Sequence, residues 1–170
     1  VTACASGSNA IGEAMRMIRH GYADAVITGG AEAAITPSAV AGFANMQALS
    51  QSDNPDEASL PFDRRRAGFV IGEGAVALVL EEYEHALARG VHIYGEVCGY
   101  GSTCDAYHIT APHPEAKGGM RAMKEAMKEA GYTPDDIVYV NAHGTGTPMN
   151  DAVETMAIKQ ALGTEKAYQS

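Results

Sequence analysis

Apolar residues in this chain fall into runs whose period alternates between that of a helix and that of a strand, with glycines at the joints. From Asn9 onward Ile11, Ala14, Met15, Ile18 and His20 recur at helical spacing, and Ser6, Gly7 and Ser8 read as the entry to that helix. The run Asp24 to Gly30 is short, apolar and closed by two glycines, which predicts a buried strand ending in a tight turn. Between Ala31 and Leu49, Pro37 suits a helix start, and Phe43, Met46 and Leu49 recur every third residue, predicting one buried face. Residues 51–58 are polar and turn-rich, and Leu60 to Arg66 reads as a loop ending in three arginines, a pattern of solvated loops or internal salt bridges.

Ala75 to Leu80 is continuously apolar and predicts a central strand buried on both faces. Glu81 to Arg89 predicts a helix stopped by Gly90, and Ile93 to Tyr100 alternates as a further strand. Residues 101–112 form a loop dense in hydrogen-bonding groups. Gly118 to Gly131 is an amphipathic helix with Met120, Met123 and Met127 on the core face, Lys124 and Lys128 elsewhere, and Gly131 as its stop. Asp136 to Val140 predicts a strand that delivers Asn141-Ala142-His143-Gly144-Thr145-Gly146-Thr147-Pro148 at its carboxyl end, where open α/β sheets place their sites. A last helix runs to Leu162 from a cap at Asn150 or Asp151. The fold class is α/β, and the strand–loop–helix cadence occurs once before about residue 90 and once after, as in two related halves.

Composition sharpens this picture. With 170 residues, 46% of them hydrophobic and 19% charged, the chain has the make-up of a globular protein with one domain-sized core. It opens on Val1, directly at a functional-looking turn, and reads as an internal piece. A net charge of −9 disfavours nucleic acid and anionic membrane as partners. Nothing resembles a signal peptide or a span of about 18 apolar residues, so a cytoplasmic setting is expected. The three cysteines, Cys4, Cys98 and Cys104, are odd in number and lack paired spacing, which argues against a disulfide framework and against a metal site. Gly68, Gly72 and Gly74 precede a strand instead of following one, the wrong order for a dinucleotide-binding turn.

Chemistry concentrates at two places. Cys4 lies close to the amino end of the first helix, where unpaired N–H groups favour an anion and can pull a thiol below its free pKa of about 8.5. The structural alternative is a small buried hydrophobe, the commonest role of a free cysteine. His143 stands between a strand end and Gly-Thr-Gly-Thr-Pro, a setting that makes a Cys–His pair possible. His108, close to Asp105 and Thr110, is a supporting candidate, while His20, His85, His92 and His113 carry no assigned role. These residues fit a thiol-nucleophile acyl-transfer enzyme and a cysteine hydrolase equally.

The motifs Thr2 to Gly7, Ile27 to Glu32, Pro61 to Asp63 with Arg66 to Gly74, Asp105 to Thr110, and Asn141 to Pro148 together closely resemble the β-ketoacyl-acyl carrier protein synthase II family of ketosynthases. The resemblance covers essentially the whole chain. It implies a thiolase-like fold of αβαβα layers, with residues 1–90 as the latter part of the N-terminal half and 91–170 as the first part of the C-terminal half. It also implies a decarboxylative Claisen condensation of an acyl thioester with a malonyl thioester, in which Cys4 takes the acyl group and His143 assists decarboxylation. Thr145 and Thr147 match positions that bind the pantetheine arm, Phe43 matches an aromatic gate to the acyl pocket, and Thr110 belongs with the substrate-binding residues. Asp105 and His108 are implied to support the site. No cofactor of its own and no metal are implied, the pantetheine arrives on acyl carrier protein, and the complete enzyme is expected to be a homodimer.

The family's second histidine and its lysine are expected beyond Ser170, and Gln47 stands where a basic carrier-docking residue is familiar. Close alternatives are the ketosynthase of a polyketide pathway, whose chain-length partner subunit would lack Cys4, and a non-catalytic remnant. On this reading the 170 residues alone should neither condense malonyl thioesters nor show a cooperative urea transition, whereas the chain with both flanks should do both. A cooperative, monomeric, active 170-residue chain would contradict it.

Overall fold

The computed structural model describes residues 2–170. Their contacts divide the chain into two compact units, Val1–Ala33 with Gly72–Cys98, and Ala34–Ile71 with Gly99–Ser170.

In the first unit, helix α1 (Ser6–Arg19) packs against strand β1 (Ala25–Ala33), and β1 pairs antiparallel with β2 (Glu73–Glu81). The helical stripe is as expected, with Gly12, Ala14 and Met15 buried. The expected tight turn at Gly29-Gly30 is instead the middle of β1. Gly29 has φ +145°, and a Cβ there would lie 2.0 Å from the Val76 carbonyl oxygen, so the glycine serves close strand approach instead of reversal.

The expectation that β1 is buried and that Ala75 to Leu80 is a strand covered on both faces is corrected. Ile27 is 79% exposed, and Val76 and Val79 are 65% and 67% exposed. The reason is the number of layers: α1 covers one side of β1, and the sheet has two strands, so most of β2 lies open within this chain. Helix α3 (Tyr83–Arg89) begins two residues later than expected, because β2 continues through Glu81 and the Glu82 side chain caps the helix by accepting the His85 N–H at 2.7 Å. Gly90 ends it in the left-handed conformation, as expected. Glu81 then ties β2 to α3, accepting from Arg89 Nε at 2.8 Å and Nη2 at 3.1 Å and pairing with His85.

In the second unit, α2 (Pro37–Asn45) starts at Pro37 with Thr36 as its cap. It stops short of Leu49 because Gln47 adopts φ +54°. Leu49 leaves the helix and bridges to Phe69, and Met46 is exposed instead of lying on a buried face. Helices α4 (Lys117–Ala130) and α5 (Pro148–Leu162) pack together, with Gly119 close against Ala157, and α6 (Thr164–Ala167) follows. The three α4 methionines are half-buried and its lysines exposed. The cap of α5 is Thr147, with Pro148 in the first helical position, and not Asn150 or Asp151. Neither Ile93–Tyr100 nor Asp136–Val140 is paired into a strand among the described residues. Alternation makes a segment fit for pairing, but pairing needs a neighbour, and Tyr94 and Val138 stand 97% and 84% exposed. No helix of the described residues is long and apolar enough to cross a membrane.

Two outcomes follow for the full-length protein. Gly29→Ala should cost more than 1 kcal/mol in urea unfolding, about the penalty of a positive φ alone, because the Val76 backbone must also shift. The Glu81 carboxyl is held below its ordinary range, first by the Arg89 hydrogen bonds and then by His85. A carboxyl with a lowered folded pKa stabilises above its unfolded value, about 4.3, and that contribution is lost as pH falls through the folded value. The urea midpoint should therefore drop on acidification in the wild type, and Glu81→Gln should flatten that drop.

Candidate active site

Cys4 sits in a 3-10 turn, Ala3–Ala5, that runs straight into α1. Ala3 has φ +48°, a left-handed conformation that costs a non-glycine residue about 1–2 kcal/mol and that turns the chain just ahead of the thiol. Thr2 donates from Oγ1 to Ser6 Oγ at 3.2 Å across the turn. No side chain caps α1 and no acidic residue occupies its first turn, so the positive end of the helix is left uncompensated beside Cys4. The thiol is free and exposed.

His143, in the second unit, is held by its backbone and leaves its ring exposed. Its N–H donates to Glu154 Oε1 at 2.6 Å, and the N–H of Gly144 donates to Oε2 at 2.8 Å. One carboxylate from the second turn of α5 therefore grips two consecutive amides, and Asn150 Nδ2 supports it at 3.2 Å. Beyond it the chain turns through Gly144 at φ +52° and Gly146 at φ +74°. Thr145 and Thr147 share a hydrogen bond between hydroxyls at 2.8 Å, Thr145 Oγ1 accepts the Thr147 N–H, and Thr147 Oγ1 accepts the Asn150 N–H as the cap of α5.

Side chains of the loop 101–112 bond to nearby backbone. His108 does not pair with Asp105; its Nδ1 accepts the N–H groups of Thr110 and Ala111 at 3.2 and 3.1 Å, which places the proton of the neutral ring on Nε2. Asp105 Oδ2 accepts the His113 N–H at 2.8 Å, and Oδ1 is buried without a hydrogen-bond partner beside Gly118. Phe43 is half-buried, its ring edge-on to Phe69 at 5.2 Å.

Three residues that organise the His143 turn were not singled out from the sequence for this role. Asp151 is buried and accepts from Gly146 and Phe62, Arg66 reaches the Thr147 and Pro148 carbonyls, and Glu154 holds His143 and Gly144. The available signal was two acids in the opening turns of a Pro-started helix, directly after a glycine-rich segment whose N–H groups need acceptors.

The Beta-ketoacyl synthase, N-terminal domain family matches residues 1–86, and the Beta-ketoacyl synthase, C-terminal domain family matches residues 94–170. The chain is 61% identical over 164 residues to the 3-oxoacyl-[acyl-carrier-protein] synthase 2 of Synechocystis sp., covering 96% of this chain and 39% of that protein. It is 56% identical over 163 residues to the protein of that name from Staphylococcus aureus, covering 96% and 40%. Among solved structures, a ketosynthase complex with a type II polyketide synthase acyl-carrier protein matches at TM-score 0.94 and 42% identity, over 99% of this chain and 41% of the other. A β-ketoacyl synthase from Burkholderia phymatum matches at TM-score 0.89 and 44% identity, over 94% and 39%. This chain thus spans about two fifths of the relatives it matches. With both halves of the family signature matched in order and the thiolase-like α/β architecture in common, the chain belongs to the β-ketoacyl synthase family.

Proposed function

We propose that this chain is the central part of a β-ketoacyl-acyl carrier protein synthase of fatty acid elongation, with residues 1–90 from its N-terminal half and 91–170 from its C-terminal half. The observation that carries the reading is Cys4, a free thiol at the uncapped start of α1 in a chain 61% identical to a 3-oxoacyl-[acyl-carrier-protein] synthase 2. That identity favours fatty acid elongation over a polyketide pathway, whose solved ketosynthase matches at 42%.

Cys4 thiolate attacks the carbonyl carbon of an acyl thioester, and the carrier leaves as a thiol after taking up a proton. The malonyl thioester then loses CO₂, and the electron pair of the broken C–C bond becomes an enolate whose oxygen is met by the His143 imidazole. Its carbon attacks the acyl carbonyl on Cys4, forming the new C–C bond and returning the thiolate. Because the N–H groups of His143 and Gly144 are already given to Glu154, side chains are the donors this stretch has to offer, the His143 imidazole among them. The Thr145–Thr147 pair has one hydroxyl proton left once its shared bond is made, enough to donate to an amide carbonyl of a pantetheine arm. Phe43 and Thr110 line the acyl and malonyl sides, and Asp105 and His108 shape the loop that bears Thr110. The arm arrives on acyl carrier protein, so the protein needs no cofactor of its own. We place it in the cytosol as a homodimer, in keeping with three free cysteines and relatives that act on a carrier protein by name.

In the full-length protein, an alkylating agent should modify Cys4 well before Cys98 and Cys104, as read by peptide mass mapping; equal labelling would contradict an activated thiol. His143→Ala should still load an acyl group on Cys4 while condensation falls by about 100-fold or more. Loading that fell as far as condensation would make His143 the base that activates Cys4.

A further inference from the structure

Helix α4 carries Lys117, Arg121, Lys124 and Lys128, spaced by four, three and four residues. At 3.6 residues per turn that spacing stacks them on one stripe about 16 Å long. They are four of the 12 lysines and arginines in a chain of net charge −9, so the stripe is a basic island on an acidic molecule. All four residues are exposed. The inner face of the helix is already taken, since a Cβ added at Gly101 or Gly99 would stand 1.9 Å from the Ala122 carbonyl oxygen or 2.1 Å from that of Ala126. Glu129, to one side, accepts the Tyr100 N–H at 2.6 Å.

The stripe is poorly answered within its own unit. Lys117 pairs with Glu115, and Arg121 Nη2 donates to the Cys104 carbonyl at 3.0 Å without a carboxylate partner among the described residues. The Lys124 and Lys128 ammonium groups have neither a hydrogen bond nor an ion pair there. Like charges four residues apart on a helix repel, so this pair adds nothing to the stability of α4.

Its position ties it to the substrate loop of the same unit. Thr103 Oγ1 donates to the Gly118 carbonyl at 2.8 Å, Arg121 holds the Cys104 carbonyl, and Asp105 packs on Gly118, where a Cβ would stand 2.1 Å from Oδ1. The first turn of α4 and the start of the segment that leads to Thr110 are therefore one piece. A basic docking residue implies an acidic carrier surface, yet the position where one is familiar holds Gln47, exposed and uncharged.

We propose that the Lys117–Arg121–Lys124–Lys128 stripe is a docking surface for the acyl carrier protein, met by a row of carboxylates on the carrier while its arm enters past Thr110. This rests on the ketosynthase reading. Charge complementarity selects the occupant: unpaired ammonium groups one helical turn apart fit an acidic face, and the rest of this acidic chain repels one. Exposed charges of this kind act on encounter and orientation more than on the bound chemistry.

In the full-length protein, Lys124→Glu combined with Lys128→Glu should raise the KM for malonyl carrier thioester about 10-fold at low ionic strength, with kcat near wild type. The KM for malonyl pantetheine thioester, which brings the arm without the carrier, should not move. The difference from wild type should shrink as salt is added, because the screening length falls to about 3 Å at 1 M. Lys124→Gln with Lys128→Gln should give a smaller rise of the same kind, and stands in if the reversed pair does not fold. Arg64→Glu reverses an exposed cation off the stripe and should leave both KM values unchanged. A carrier KM unchanged in both α4 variants, a rise shared by the pantetheine substrate, or an equal rise in Arg64→Glu would overturn the docking surface while leaving the ketosynthase reading intact. Absence of any 3-oxoacyl product from the unaltered protein would overturn that reading and this proposal with it.

Discussion

A carboxylate taken out of water must be met by donors on every side, and the meeting of Asp151 with Arg66, Gly146 and Phe62 is the constraint on which the second unit's functional turn depends. Removing one partner of such a pair leaves an unanswered buried charge, a penalty of about 3–5 kcal/mol. The pair is therefore hard to lose piecemeal. Glu154 repeats the logic one helical turn further on, with two oxygens matched to two consecutive amides. Between them the two acids fasten residues 143, 144 and 146 to the rigid start of α5. Rigidity here is polar in origin, since the described core of this unit is mostly alanine.

The same arrangement decides which group is available for chemistry. A glycine-rich turn ahead of a helix often offers its amides to an anion. Here the amides of residues 143, 144 and 146 are spent on Glu154 and Asp151, so the His143 ring and the threonine hydroxyls are what the turn presents. At Cys4 the opposite holds: α1 begins without a capping side chain and without an acidic residue in its first turn, so the positive end of its dipole is left uncompensated near the thiol. One helix start is closed by its own carboxylates and the other is open to an incoming anion.

Much of this was legible in residue patterns. The α1 stripe, the Gly90 and Gly131 stops and the ordered motifs around Cys4 and His143 were readable because each rests on local spacing. What escaped was long-range. Val76 and Val79 read as buried because apolarity marks a residue's preference and says nothing of whether a covering layer is present in the same chain. Ile93–Tyr100 and Asp136–Val140 alternate as strands do, yet alternation cannot supply a neighbour. Asp151 read as a helix cap because acids near a helix start usually are; its real partners, Phe62 and Arg66, lie more than eighty residues away in sequence. Gln47 interrupted an apolar period that looked continuous, since a positive φ leaves no trace in hydrophobicity.

The claim that a buried carboxylate holds the His143 turn is open to direct observation by amide hydrogen exchange in the full-length protein. The N–H groups of Gly146 and Phe62 should exchange slowly in the wild type and become fast in Asp151→Asn, while α4 amides remain as slow as before. Fast exchange at Gly146 and Phe62 in the wild type, or protection that survives the substitution, would contradict it.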